Sequence, residues 1–342
     1  MKKGVSITDV ARACGVSHST VSRALSNHPG ISAKTRERVK QTVRRLGYRP
    51  DAKLSQLMAQ VRKGRQSGAR ANIGVVHLTG TAESEHRRKH ILRYVEGVRE
   101  RADALGYGVD EVFCEEDCPE GLKLVRMLRA RNIEGVVLLS GGNSAINMRI
   151  DWSAAAWVAA GFFPEDPCLH AAAPDYVVHA MSCVDKLAER GCRRIGFACV
   201  KEVDVELSHA WLAGYSAGVV HRGLPLLLLS YDPSPAPETI SDWVKAKRLD
   251  GVILHSTWVR KALEDVTPGV QLAGLNLGRP EAAKSSGIVE RSHEVGIAAA
   301  DLVIGQLMRG ERGIPAFRKR TLVQGYWVDA ARPTTRPGKR GR

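Results

Sequence analysis

Apolar positions near the start of the chain recur at helical spacing. Ile7, Val10, Ala11 and Cys14 share one face after Ser6, a hydroxyl suited to capping a helix. Gly15 breaks this first helix, and Val16 follows as a buried plug. Ser17 is placed to cap a second helix, His18 to Ser26, with Val21, Ala24 and Leu25 inward. Asn27-His28-Pro29-Gly30 reads as a loop. Ser32 then caps a third helix whose apolar positions are Val39, Val43 and Leu46, and Gly47 ends it. A helix, a glycine-containing turn and a second helix at this spacing predict a helix-turn-helix.

From Ala71 the period changes. Short β-rich runs at Ile73 to Leu78, Val109 to Phe113, Val136 to Ser140 and Ala156 to Phe162 alternate with helical stretches at Arg87 to Leu105 and Leu122 to Ala130. A second round follows Gly191, with strands at Ile195 to Val200, Leu226 to Ser230, Val252 to His255 and Leu272 to Leu275. Helices at Ser208 to His221 and Ser241 to Arg248 lie between them. This alternation predicts two doubly wound parallel-sheet lobes with helices on both faces and a cleft between the lobes. Ser292 to Met308, with Val295, Ala299, Leu302, Val303 and Met308 inward, is expected to return to the first lobe. Thr321 to Val328 is expected to supply one last strand.

Composition narrows the class. A 342-residue chain with 44% hydrophobic and 25% charged residues is not disordered throughout. No apolar run approaches the roughly 20 residues of a membrane span. Met1-Lys2-Lys3 is not followed by an apolar segment, so a cytoplasmic protein is expected, with no membrane partner. The net charge of +15 is unevenly spread: residues 1–70 carry 16 Lys and Arg against 3 Asp and Glu. Residues 331–342 carry five basic residues and no acid, which leaves 71–330 slightly acidic at −3. A basic head on an acidic body points to a polyanionic partner for the head. The seven cysteines are odd in number and show no C-x-x-C spacing. Cys114 and Cys118, around three acidic residues, lack a second ligand pair, so free thiols are expected, with no metal and no cofactor.

The outer face of the second helix carries His18, Ser19, Thr20, Ser22 and Arg23. Short polar side chains let a helix approach the major groove. Arg23 can offer paired donors to guanine O6 and N7, and Ser19 can meet several base edges. Ser17, Thr20, Ser22 and Asn27 suit phosphate oxygens, as do the amides at the helix start.

The segments Ile7-Thr8-Asp9-Val10-Ala11, Gly15-Val16-Ser17, Thr20-Val21-Ser22-Arg23, Ile31-Ser32, Thr35-Arg36-Glu37-Arg38-Val39 and Leu46-Gly47-Tyr48-Arg49-Pro50 resemble the head of the lac-repressor/galactose-repressor (LacI/GalR) family of transcription regulators. The resemblance implies that His18, Ser19 and Arg23 read bases, and that the protein binds a near-palindromic operator as a homodimer. It implies that Asp51 to Met58 is a hinge helix that folds on DNA. Leu57 falls where the family inserts paired leucines from the minor groove, an apolar wedge that allows a bend. Leu54 stands where the family usually has alanine. For the body it implies a periplasmic-binding-protein-like core with a small-molecule effector, a sugar or an aromatic metabolite, between the lobes. Asp175 sits where the family places a ligand-contacting acid. Trp211 replaces a usual arginine, and Thr257 or Ser256, after His255, replaces a usual aspartate. Trp211 and Trp258 instead offer flat faces for a sugar or an aromatic ring. The cluster Glu85 to His90 reads either as an effector loop or as a solvated helix start.

The expected organisation is a helix-turn-helix head over 1–50, the hinge helix over 51–60 and a basic linker over 61–71. The first lobe is expected from 72–191 and 291–318, the second from 192–290 and 319–330, and a disordered basic tail over 331–342. The expected function is a ligand-responsive repressor. A regulator that has lost its effector response is the alternative. A serine hydrolase is the remote one: Gly214-Tyr215-Ser216-Ala217-Gly218 matches G-x-S-x-G, and Asp265 and His293 follow in hydrolase order. The residues before Ser216 read as helix rather than the strand such an elbow needs, so no enzyme is expected.

Overall fold

Ser6 opens the first helix with a reciprocal cap. Its hydroxyl accepts the Asp9 N–H, and its own N–H donates to the Asp9 carboxylate at 2.9 Å. The computed structural model describes residues 5–25, 30–48, 71–78, 85–114, 121–140, 150–163, 166–232, 237–255, 269–277 and 285–330. Helices α1 (Ile7–Cys14), α2 (His18–Leu25) and α3 (Ala33–Leu46) enclose Val10, Ala11, Cys14, Val21, Ala24 and Val39. Gly15 and Gly47 end α1 and α3 with φ of 61° and 67°, the left-handed conformation that glycine adopts without steric cost.

The body alternates strand and helix. The first lobe holds β1 (Asn72–Leu78), α4 (Glu85–Ala104), β2 (Gly108–Cys114), α5 (Gly121–Ala130), β3 (Ile133–Ser140), β4 (Ala156–Ala160) and β5 (His170–Pro174). The second holds α6 (Tyr176–Glu189), β6 (Ile195–Val200), α7 (Lys201–Glu206), α8 (Ala210–His221), β7 (Leu228–Tyr231), α9 (Pro237–Ala246), β8 (Gly251–Leu254), β9 (Gln271–Leu277) and β10 (Gly287–Val289). The chain then returns through α10 (Ser292–Arg309) to β11 (Arg320–Val323) and ends with β12 (Tyr326–Val328). The sheets run β11-β5-β4-β3-β1-β2 and β12-β10-β9-β8-β6-β7. All pairings are parallel except β10 with β12. Strands β4 and β5 are buried along their whole length, as expected where helices cover both faces of a parallel sheet.

The two-lobed α/β expectation holds, but the boundaries move. Helix α6 was not foreseen, and it packs on α8 and the second sheet. The chain therefore first changes lobe at 174–175 rather than 191. The expected single strand over 321–328 is two strands. β11 adds to the first sheet beside β5, so 320–323 belongs to the first lobe, and β12 adds to the second beside β10. Strands β5 and β10 were also missed. His170-Ala-Ala-Ala-Pro174 lacks the β-branched residues that mark strands, and its small side chains let α10 lie close over it. The chain crosses between lobes at 174–175, 289–292 and 323–326, and a cluster of buried side chains runs through both lobes.

Candidate functional site

The head presents one polar face. Val21 and Ala24 anchor α2 in the core, which leaves His18, Ser19 and Arg23 exposed on the opposite side and Thr20 and Ser22 half-buried beside them. Ser17 starts the helix: its hydroxyl accepts the Thr20 N–H at 3.2 Å and lies 2.8 Å from the Ser19 hydroxyl and 2.9 Å from that of Thr20. Three hydroxyls and the first-turn amides thus converge at the positive end of α2. Asn27, Leu54 and Leu57 lie outside the described residues.

In the body, Asp175 stands at the first crossing between lobes. Its carboxylate accepts the Val178 N–H at 3.2 Å as the cap of α6, and its own N–H donates to the Val323 carbonyl at 3.0 Å. Geometry thus makes it a half-buried hinge cap. Trp211, in the first turn of α8, is 3% exposed. Its ring meets Tyr176 edge to face at 5.4 Å and lies 6.0 Å from the ring of His255, which follows β8. His255 lies 6.2 Å from Tyr231 at the end of β7. On the other side, Tyr176 meets Phe163 at 6.2 Å and donates its hydroxyl proton to the Gly161 carbonyl of the first lobe at 2.7 Å. A row of rings therefore runs from Phe163 to Tyr231 across the carboxyl ends of strands in both sheets, where open α/β folds hold ligands. Sequence reading found Trp211 and His255 but missed Phe163, Tyr176 and Tyr231. Aromatic residues at or just past the carboxyl ends of strands were the available mark. Thr257 and Trp258 lie outside the described residues.

Two buried ionisable groups flank the crossings. His179 on α6 is 1% exposed, and its Nε2 accepts the Gly325 N–H at 2.7 Å. Burial, only partly opposed by Asp175, pushes it down to about 4, so it is neutral. Glu290, between β10 and α10, lies 3.4 Å from His90 Nδ1, which also sits 2.9 Å from the Ser292 hydroxyl. Burial raises the Glu290 carboxyl to about 8, so at neutral pH it is mostly protonated. Glu85 to His90 open α4, and of their side chains only that of His90 is described.

The hydrolase motif is helical. Ser216 lies half-buried in the middle of α8 rather than on a strand-to-helix turn. His293 is on α10 and pairs with Glu100 at 3.1 Å, and Asp265 lies outside the described residues. Among the described residues no group of His, Cys, Asp and Glu is arranged to hold a metal ion, and no helix is long and apolar enough to cross a membrane. Cys14, Cys183, Cys192 and Cys199 are free thiols. Burial holds Cys192 up to about 11 and raises Cys183 and Cys199 further still, so the three stay protonated.

A helix-turn-helix head joined to two doubly wound lobes defines the class of helix-turn-helix proteins with a periplasmic-binding-protein-like core. Residues 6–51 match the bacterial regulatory proteins of the lacI family. Catabolite control protein A of Priestia megaterium is 25% identical over 226 residues, 65% of this chain and 63% of that protein. The lactose operon repressor of Escherichia coli (strain K12) is 33% identical over 137 residues, 40% of this chain and 34% of that repressor. The fold resembles that of the transcriptional regulator CelR in complex with cellobiose, with a TM-score of 0.59 and 18% identity over 95% of this chain and 98% of that one. The matched stretches span 63%, 62% and 60% of the first three curated relatives, under two thirds of each. Residues 6–51 thus match the lacI family of bacterial regulatory proteins, and the whole chain shares the fold of the solved regulator it resembles.

Proposed function

We propose that this protein is a sequence-specific DNA-binding transcription regulator, acting as a repressor, that grips a near-palindromic operator as a dimer. The observation that carries this reading is the exposed His18–Ser19–Arg23 face of α2, set on a helix-turn-helix whose net charge is strongly positive. Each α2 enters a major groove. Arg23 gives paired donors to a guanine, while Ser19 and His18 meet neighbouring base edges. Ser17, Thr20, Ser22, Asn27 and the first-turn amides hold phosphates and set the register. The hinge at 51–60, with Leu54 and Leu57, wedges the centre of the site from the minor groove.

A small molecule between the lobes shifts their relative pose and with it the spacing of the two hinges. It acts only as far as it binds one pose better than the other. The three chain crossings at Asp175, Glu290 and Gly325 and the Tyr176-to-Gly161 hydrogen bond are the joints that such a change must work through.

Selection of bound sites from random double-stranded DNA tests this reading. A two-fold symmetric site with a defined centre is expected, with affinity falling steeply as salt rises because phosphate contacts release counterions. Recovery of no enriched sequence, or of a site without two-fold symmetry, would count against it.

A further inference from the structure

The region around the ring group at the carboxyl end of the second sheet contains three buried polar atoms that no described residue satisfies. Trp211 Nε1 and the Tyr231 hydroxyl lack partners, on residues only 3% and 6% exposed. Asp204, on α7, has one carboxylate oxygen 2.6 Å from His209 Nδ1, and the other is buried without a partner. The three share one neighbourhood. His255 lies between the rings of Trp211 and Tyr231, tilted 39° and 35° to them. The Cys199 thiol feels the Asp204 charge and in turn acts on the Tyr231 hydroxyl.

A buried polar group left unsatisfied costs about 1–3 kcal/mol, and folded proteins keep few of them. Here they cluster where an open α/β sheet holds a ligand. The approach to Trp211 is itself strained, because Ser208 and His209 have φ of 53° and 57°, a left-handed conformation that non-glycine residues seldom adopt. The Asp204–His209 contact spans that strained turn.

The chemistry of the three atoms selects among occupants. Indole N–H only donates, a phenol donates or accepts, and a carboxylate only accepts. An anion would meet the Asp204 carboxylate, and a cation would face the Trp211 donor. A neutral edge that carries both acceptors and a donor satisfies all three. The flat rings favour a planar occupant, which gains from stacked or edge contacts. We propose that this group is the recognition wall for an uncharged planar heteroaromatic molecule, with acceptors facing Trp211 and Tyr231 and an N–H facing Asp204. The assignment rests on the ligand-responsive reading above and names the ligand class of that site.

Titration calorimetry on the full chain with uracil, hypoxanthine and nicotinamide, against ribose, glucose and cellobiose, tests it. At least one heteroaromatic probe is expected to bind, with every saccharide at least tenfold weaker. Trp211→Phe and Tyr231→Phe, which keep a ring and remove the polar atom, should each weaken the bound probe tenfold or more, and Ser216→Ala should leave it unchanged. If Trp211→Phe does not fold, Tyr231→Phe and Asp204→Asn carry the same test. Binding of saccharides alone, no binding by any probe, or wild-type affinity in the folded variants would each overturn the assignment. Operator affinity measured with and without the bound probe separates the two readings. A probe that binds through these residues but leaves operator affinity unmoved keeps the site and removes the ligand response.

Discussion

A Cβ on Gly214 would lie 2.1 Å from the carbonyl oxygen of Val177, so α8 and α6 meet backbone to backbone. One turn on, a Cβ on Gly218 would sit 3.1 Å from the Val184 side chain. The two glycines of the G-x-S-x-G motif are therefore successive points of one helix contact, and Ser216 falls between them. The first lobe repeats the device: a Cβ on Gly97 would lie 1.9 Å from the His293 carbonyl oxygen, and one on Gly296 2.1 Å from that of Tyr94. Gly214→Ala is expected to destabilise the protein by about 1–3 kcal/mol, because a methyl group forced against main chain can be relieved only by parting the helices. Ser216→Ala should change stability by no more than about 0.5 kcal/mol. Denaturant unfolding followed by circular dichroism measures both, and equal losses would mean that the helix contact is not the constraint.

Two tyrosines in the second lobe should respond oppositely to loss of the hydroxyl. Tyr215 donates to the Ile195 carbonyl and accepts the Leu227 N–H, each at 2.9 Å. Tyr215→Phe strands both main-chain groups in the interior and should cost about 1–3 kcal/mol. The Tyr231 hydroxyl has no partner among the described residues, so Tyr231→Phe should leave the ligand-free protein as stable as before or slightly more stable. Thermal unfolding without added ligand compares them. A large loss in Tyr231→Phe would show that its hydroxyl is satisfied within the protein.

Stability should fall on both sides of a plateau, for separate reasons. His179 titrates near 4 in the folded state, below its ordinary 6.5, so the unfolded chain binds the extra proton first as pH falls. Its contribution is complete above about pH 6.5 and is lost as pH falls through about 4, by up to about 3 kcal/mol, since a protonated Nε2 can no longer accept the Gly325 N–H. Glu290 runs the other way. Its folded value near 8 lies above the ordinary 4.5, so its contribution is complete below about 4.5 and is lost as pH rises through 8. His179→Gln should flatten the acid limb and Glu290→Gln the alkaline limb, read from unfolding free energies between pH 4 and 9. If neither variant changes its limb, other groups set the profile.

Arg23→Ala should weaken operator binding by about 1–3 kcal/mol and relax base preference at one position in each half-site. Asn27→Ala, at a residue proposed to hold a phosphate, should weaken all sequences alike. Binding-site selection with both variants distinguishes the cases. An unchanged sequence preference in Arg23→Ala would place the reading face elsewhere.

Much of the head was legible from its sequence because its determinants are local. Capping hydroxyls, helical spacing and two left-handed glycines act within a few residues of one another, and Ser6, Gly15, Ser32 and Gly47 all perform the tasks their types suggest. The alternation of strands and helices in the body was legible for the same reason. Helix α6 is readable in the same way, since Tyr176, His179, Ala180, Cys183, Val184, Leu187 and Ala188 recur at helical spacing.

What the chain order could not reveal were partnerships between distant segments. Residues 320–323 and 326–328 look like one strand, but Gln324 and Gly325 carry the chain from one sheet to the other. Trp211 reads equally as core or as a ligand face. Only the tertiary structure puts it beside Tyr176 and His255 and leaves its N–H buried without an acceptor among the described residues. Local conformation depends on short-range sterics and hydrogen bonds, which sequence spacing records. Sheet order, burial and the fate of a polar atom depend on which remote residues arrive around it, and folding alone decides that.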